Sequence, residues 1–174
     1  MEKGEAKQQI HDWYMEYSND IYQYVFFLVG DHAFAKDIVQ ETFFRAYQKI
    51  GQFHGGKAKN WLYKIARNAA MDELRKKRPV PYLLEAFVSL EAKTKTPEQM
   101  AVFHESEREL YIALNKLKRS YRDVIVLRKM EGFSTEETAK ILGWTENKVK
   151  VTLLRGLKAL KRELEKGGKS FESI

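Results

Sequence analysis

The run Thr138-Ala-Lys-Ile-Leu-Gly-Trp-Thr-Glu-Asn-Lys-Val-Lys-Val-Thr-Leu-Leu-Arg155 sets two short helical segments on either side of a break no longer than one turn. Just upstream, Ser134-Thr-Glu-Glu137 has capping-box spacing, in which a hydroxyl accepts from the first turn and a carboxylate reaches back. The helix that starts there is expected to end at Gly143. Thr145 caps the next helix, and Glu146 suits its positive end. In this second helix Val149, Leu153, Leu157, Leu160 and Leu164 form one apolar stripe. The far side presents Asn147, Lys148, Val151, Arg155, Lys158 and Arg162. A small Ala139 lets the helices approach, Gly143 allows the tight turn, and branched Val149 locks the second helix down. Those are the mechanical demands of a helix-turn-helix. Such a unit braces its second helix so that the N-terminal half can enter a DNA major groove. Lysine and arginine satisfy phosphates, while asparagine, arginine and an apolar valine meet base edges or a thymine methyl. The candidate duplex-reading set is Thr145, Asn147, Lys148, Val151, Thr152, Arg155 and Lys158. The competing reading is a solvated basic face on an ordinary helical hairpin; the turn pattern favours DNA.

The rest of the chain agrees with a nucleic-acid partner without requiring one. Its 174 residues suffice for one ordinary domain or two small ones. Lysine and arginine outnumber acids by 31 to 24, for a net charge of +7, which suits an anionic partner. With 44% apolar residues a packed core is accessible and disorder is not expected. There is no cysteine, so disulfides and thiolate metal sites are excluded. The charged start, residues 1–9, does not read as a signal peptide, and the apolar run Val25-Phe-Phe-Leu-Val29 is too short to span a bilayer. A cytoplasmic protein is expected.

All three prolines, Pro79, Pro81 and Pro97, fall in one stretch between two proline-free halves. Proline removes a donor and pushes the preceding residue out of the helical region. The stretch therefore reads as a linker, although Tyr82-Leu-Leu-Glu-Ala-Phe-Val88 is apolar enough for a short helix. No strand-like alternation is sustained, so the expected fold is all-α: two small helical domains, residues 9–78 and 100–166, joined by a linker at 79–99. In the first, helices are expected from Gln9 to Val29, from Ala33 to Ile50 and from Asn60 to Lys77. In the second, they are expected from Met100 to Leu117 and from Arg119 to Met130, before the helix-turn-helix. On the Ala33 helix, Ala35, Val39, Phe43, Ala46 and Ile50 make a buried face. The opposite face carries Asp37, Glu41, Phe44 and Gln48, with Gln40 at its edge. An aromatic amid acids and amides is unusual for a surface that meets only water.

A second basic cluster lies in Asn60-Trp-Leu-Tyr-Lys-Ile-Ala-Arg-Asn-Ala-Ala-Met-Asp-Glu-Leu-Arg-Lys-Lys-Arg78. Trp61, Leu62, Ile65, Ala66 and Ala69 make its buried face. Tyr63, Lys64, Arg67, Asn68 and the run Arg75, Lys76, Lys77 and Arg78 are expected away from that face or at its end. Cations track a phosphate backbone, and aromatics can stack on unpaired bases. The plainer reading makes Trp61 and Tyr63 core and the cations a solvated helix end. Asp72 is expected to pair with Arg75 or Lys76.

In Ala35-Lys-Asp-Ile-Val-Gln-Glu-Thr-Phe-Phe-Arg-Ala-Tyr47, in Asn60 to Asn68 with Asp72, Arg75 and Lys76, and in Gly132 to Gly143 with Val149, Lys150 and Arg155, the chain resembles the group IV, extracytoplasmic-function sigma factors of bacterial RNA polymerase. Within them it is similar to the sigma-X-like members of bacilli. The resemblance runs from about Ile10 to Glu165 by motif order and spacing. It implies that the first domain (sigma-2) binds the polymerase clamp and melts the −10 promoter element, and that the second (sigma-4) reads the −35 element and contacts the flap. The linker would thread toward the RNA exit path. Asp37, Gln40, Glu41, Phe44 and Gln48 would then meet core polymerase. The loop from Gly51 to Lys59, with Phe53, His54 and Asn60, would hold a flipped −10 base beside Trp61, Tyr63, Lys64, Arg67 and Asn68. An anti-sigma protein, often membrane-bound in this family, is the expected regulator. No cofactor, metal or catalytic residue is expected. Two rivals remain: a helix-turn-helix repressor, which leaves the Phe44 face without purpose, and a DNA-modifying enzyme, for which Asp31, Asp37, Glu41 and Asp72 would be the candidate metal-binding acids.

Overall fold

The computed structural model describes residues 1–77 and 105–167. Helix α1 spans Lys3–Val29, α2 spans His32–Lys49 and α3 spans Ala58–Lys77, with a 3-10 turn at Ile50–Gln52. After the undescribed stretch come α4 (Glu105–Lys116), α5 (Arg119–Ile125) continuing as a π-helix over Val126–Met130, α6 (Thr135–Leu142) and α7 (Glu146–Lys166). The expected linker at 79–99, the helix start at Pro97, Met100 and the cation Arg78 all lie outside the described residues.

Several helix ends have an identifiable local cause. The α1 helix begins six residues earlier than expected, where the Glu2 amide donates to Glu5 Oε2 at 3.2 Å. It stops at Gly30, whose φ of +76° favours glycine. A Cβ there would also meet the Tyr111 hydroxyl at 3.2 Å. Asp31 then caps α2, accepting from the Phe34 amide at 2.7 Å. On α2 the apolar face Ala35, Val39, Phe43, Ala46 and Ile50 is buried throughout, as its spacing predicts. The α1, α2 and α3 helices pack on one another as a three-helix unit, while α4, α5 and α6 gather around α7. Gly156, halfway along α7, is buried because a Cβ would lie 3.2 Å from both Tyr121 and Ile125. There α5 and α7 pass close together.

The two units are not separate bodies here. Helices α1 and α3 pack on α5 and α6, and one contiguous set of buried side chains runs through both. The C-terminal carbonyls of α4 lack helical donors. Arg122 supplies them, donating to the oxygens of Leu114, Asn115 and Leu117 at 3.1, 3.3 and 3.2 Å. Its remaining nitrogen crosses to the Leu28 carbonyl of α1 at 3.1 Å. Burial lowers the Arg122 guanidinium to about 10.

Candidate nucleic-acid interface

The helix-turn-helix is built as its sequence reads. Ser134 Oγ accepts from the Glu137 amide at 3.0 Å, and Glu137 Oε2 accepts from the Ser134 amide at 2.8 Å. Gly143 takes φ +69°, and its amide closes the helix on the Ala139 carbonyl. Thr145 Oγ1 accepts from the Lys148 amide at 3.1 Å and starts α7. Val149, Leu160 and Leu164 are buried, with Leu153 and Leu157 partly so. On the other side Thr145, Asn147, Lys148, Val151, Arg155 and Lys158 are exposed and Thr152 is half-buried. The Lys148 ammonium lies 4.3 Å from the Trp144 ring centre, which steadies it at the helix start. This face is open along its length. Leu154, which the spacing did not single out, is 59% exposed beside it.

The α3 face is arranged differently. Lys64, Asn68, Arg75 and Lys76 are exposed, as is His54 in the preceding loop. Lys77 ends α3, and Arg78 follows beyond the described residues. Trp61 lies 6.0 Å from Trp13 and 5.2 Å from Phe53 between ring centres, and Phe53 lies 5.1 Å from Trp13. This trio anchors the loop to α1. Trp61 is thus core in part, in line with the plainer reading.

Tyr63 corrects the strand-facing expectation and follows the plainer reading. It was expected away from the buried face, yet it is fully buried, stacked on Tyr24 at 5.2 Å and edge-on to Phe133 at 4.8 Å. Its hydroxyl donates to Glu131 Oε2 at 2.7 Å. Burial pushes the phenol far above its ordinary value and also raises the Glu131 carboxyl. Arg67 Nε donates to Asp123 Oδ2 at 3.3 Å, and the Tyr24 hydroxyl donates to Asp123 Oδ1 at 2.6 Å. Asp123 is buried, which raises its carboxyl; the Tyr24 hydrogen bond and Arg67 offset part of that rise. Asn60 donates to Glu137 Oε1 at 3.1 Å, and the Lys57 ammonium reaches the same oxygen at 2.6 Å. The lysine bond, with the Ser134 amide, brings the Glu137 carboxyl down to about 2. None of these cross-unit pairs was visible to helical spacing. The one available hint was an acid, Asp123, next to the apolar run Val124–Leu127.

On α2, Phe44 is 57% exposed and Asp37, Gln40 and Gln48 are exposed with it. Tyr47, one turn on, adds a second exposed aromatic that the sequence reading did not single out. Glu41 differs from expectation: Arg45 holds it at 2.7 Å and also bridges to Asp72 on α3 at 2.8 Å. Asp72 therefore pairs chiefly across helices, with Arg75 more distant at 3.6 Å. Among the described residues no three His, Asp or Glu side chains gather as metal ligands, and no helix is long and apolar enough to cross a membrane.

Two family models match this chain: Sigma-70 region 2 over residues 13–80 and Sigma-70, region 4 over residues 107–160. The ECF RNA polymerase sigma factor SigX of Bacillus subtilis is 37% identical over 158 residues, covering 87% of this chain and 81% of the relative. SigW of the same organism is 35% identical over 158 residues, covering 85% and 84%. Among solved structures, the sigma factor RpoE of Bartonella quintana, in complex with the anti-sigma factor NepR, superposes with TM-score 0.72. It is 23% identical and covers 91% of this chain and 98% of its own. CnrH, solved with the cytosolic domain of CnrY, gives 0.68 at 22% identity, covering 94% and 95%. The two matched regions coincide with the α1–α3 unit and with the unit that carries the braced basic helix. The chain belongs to the extracytoplasmic-function RNA polymerase sigma factors of the sigma-70 family.

Proposed function

We propose that α7 reads a −35 promoter element in the major groove while α3 and the loop before it capture the opened −10 strand. The observation that carries this reading is the braced basic face of α7, with Asn147, Lys148, Val151 and Arg155 exposed on one side. Thr145, Lys148 and Lys158 position the helix on phosphates; Asn147, Val151, Thr152 and Arg155 face base edges. On α3, Lys64, Asn68, Arg75, Lys76 and Lys77 track the strand, and Arg78 continues the run. His54, Phe53, Asn60, Trp61, Tyr63 and Arg67 form the base-capturing side. A base is flipped at a cost of a few kcal/mol, offset by stacking and hydrogen bonds. Capture of the strand shifts the duplex equilibrium and needs no ATP.

The exposed Phe44, with Asp37, Gln40, Glu41 and Gln48 around it, is the proposed contact with core polymerase. An aromatic anchor ringed by polar groups suits such a surface. Tyr47 extends it. The chain is a specificity subunit and not itself an enzyme; RNA synthesis belongs to the polymerase, in the cytoplasm. An anti-sigma protein is its proposed regulator, as NepR and CnrY are found with the two structural relatives.

The test is promoter binding by holoenzyme at graded salt. About six phosphate contacts give a logarithmic salt slope near −5. Arg155→Ala weakens binding to −35 duplex by about 1–3 kcal/mol and relaxes specificity there. A slope near zero contradicts the electrostatic part of the reading. An unchanged affinity contradicts the role of Arg155.

A further inference from the structure

We infer that Leu154 is a base-reading residue of α7 that recognises the C5-methyl group of a thymine in the upstream promoter box, with Val151 closing one side of the contact. The inference rests on the −35 reading above and names the chemical group that the middle of the helix takes. Leu154 is 59% exposed and Val151 37%, and they stand about one turn apart on the same helix. At about 100° per residue, Leu154 falls within about 60° of Asn147, Val151 and Lys158, on the side away from buried Val149 and Gly156. It therefore looks out from the face proposed to meet the duplex. Lys150, Arg155, Lys158, Lys161 and Arg162 are exposed around it. A lone exposed leucine is ordinary on a protein surface. Two adjacent apolar side chains inside a cationic face are a different matter, because every neighbour there is suited to an anion and these two are not.

What Leu154 can touch follows from its chemistry. A phosphate gains nothing from a side chain without a donor, and the cations beside it serve that role. Set against a G·C pair, leucine covers donors and acceptors of the base edge without pairing them, which costs affinity. Thymine is the base that presents an apolar group in the major groove. Leu154 thus favours an A·T pair in two ways. It buries the methyl, and it leaves polar edges unpaired at a competing G·C pair. The backbone beneath it is held in place. Thr145 caps the start of α7 at 3.1 Å from the Lys148 amide. Two residues after Leu154, Gly156 lies so close to Tyr121 and Ile125 of α5 that a Cβ would meet both at 3.2 Å. That close approach fixes the rotation of α7 about its own axis, and with it the direction in which Leu154 leaves the helix.

The test deletes the methyl and the leucine separately. The upstream box is first selected from random duplexes with holoenzyme assembled from the full chain and bacterial core polymerase. Each thymine of that box, on either strand, is then replaced singly by deoxyuridine, which removes the methyl and keeps the hydrogen-bonding edge. Holoenzyme binding is measured by competition for wild type and for Leu154→Ala, whose exposed position and good helix former leave the fold intact; thermal unfolding followed by circular dichroism checks this. The inference expects one thymine at which deoxyuridine weakens wild type about three- to fivefold, the weight of one buried methyl. At that position the penalty should shrink to about 1.5-fold or less in Leu154→Ala, while penalties elsewhere in the box stay as they were. The salt slope should not change with Leu154→Ala, whereas Lys158→Ala should reduce it by about 1 and keep the methyl preference. A selected box without an A·T pair overturns the inference. So does a box in which no methyl matters, or equal sensitivity in wild type and Leu154→Ala. If one of these results is found while Arg155→Ala still weakens binding to the box, the inference falls and the −35 reading stands. If neither Leu154→Ala nor Arg155→Ala changes binding, both fall.

Discussion

Replacing Tyr24 by Phe removes one oxygen and leaves every ring contact in place. Tyr24 is fully buried in α1, and its hydroxyl donates at 2.6 Å to Asp123, itself almost fully buried in α5. Hydrogen bonds to charged groups contribute about 1.5–3 kcal/mol, and an acceptor left short in the interior loses its share of desolvation as well. With both partners inaccessible, we expect Tyr24→Phe to lose about 2 kcal/mol, or about 30-fold in the unfolding constant. The pH dependence has a definite sign. Asp123 already sits above the ordinary carboxylate value through burial, and the Tyr24 bond is the largest influence holding it down. Removing that bond lifts the carboxyl further. A folded-state value above the unfolded one contributes stability at low pH that disappears as pH rises through it. The deficit of the variant is therefore largest near neutrality and shrinks as the solution is acidified. Urea unfolding followed by circular dichroism, at about pH 7.5 and again about two units lower, reads both features. A loss below about 0.5 kcal/mol at both values, the range of an ordinary surface substitution, would refute the buried Tyr24–Asp123 bond and with it the docking of the two units.

Other substitutions separate local from long-range causes. Gly143→Ala meets no atom within 4 Å of its new Cβ, so its effect is the backbone strain of φ +69°; about 1–2 kcal/mol should be lost in thermal or urea unfolding. Glu131→Gln removes a carboxyl that burial raises above 4.5. Wild type should gain stability relative to this variant as pH falls through the raised value toward 4.5, read as the difference between two pH–stability curves. Phe44→Ala should leave stability within about 0.5 kcal/mol, because the ring is 57% exposed, while weakening retention of core polymerase in a pull-down.

What was legible in the sequence is what depends on near neighbours along the chain. The Ser134–Glu137 box, the Gly143 turn and the Thr145 cap are satisfied within three to five residues, so their spacing was enough. The apolar face of α2 was equally readable, since five positions on one helical side have one place to go. The early start of α1 escaped because Glu2 and Glu5 form its box without a serine or threonine to mark it. The π-helical end of α5 has no sequence cue; there the Phe133 amide reaches back to the Leu127 carbonyl at 3.0 Å, and Arg128 donates to the Phe133 carbonyl. Tyr63 and Arg67 were misjudged for a different reason. Their partners stand 68 and 56 residues away, and helical periodicity says which side of α3 they occupy but not what will cover it. Phe44 is the converse case. Its exposure was legible, whereas the partner proposed for it lies outside the chain.

The most direct measurement is run-off transcription from a library of random promoters with purified chain and bacterial core polymerase. The account predicts initiation only when both are present, at templates sharing two separated sequence boxes. Within them, Arg155→Ala should relax the upstream box and leave the downstream one unchanged. No chain-dependent transcripts, or transcripts enriched for no common boxes, would contradict it.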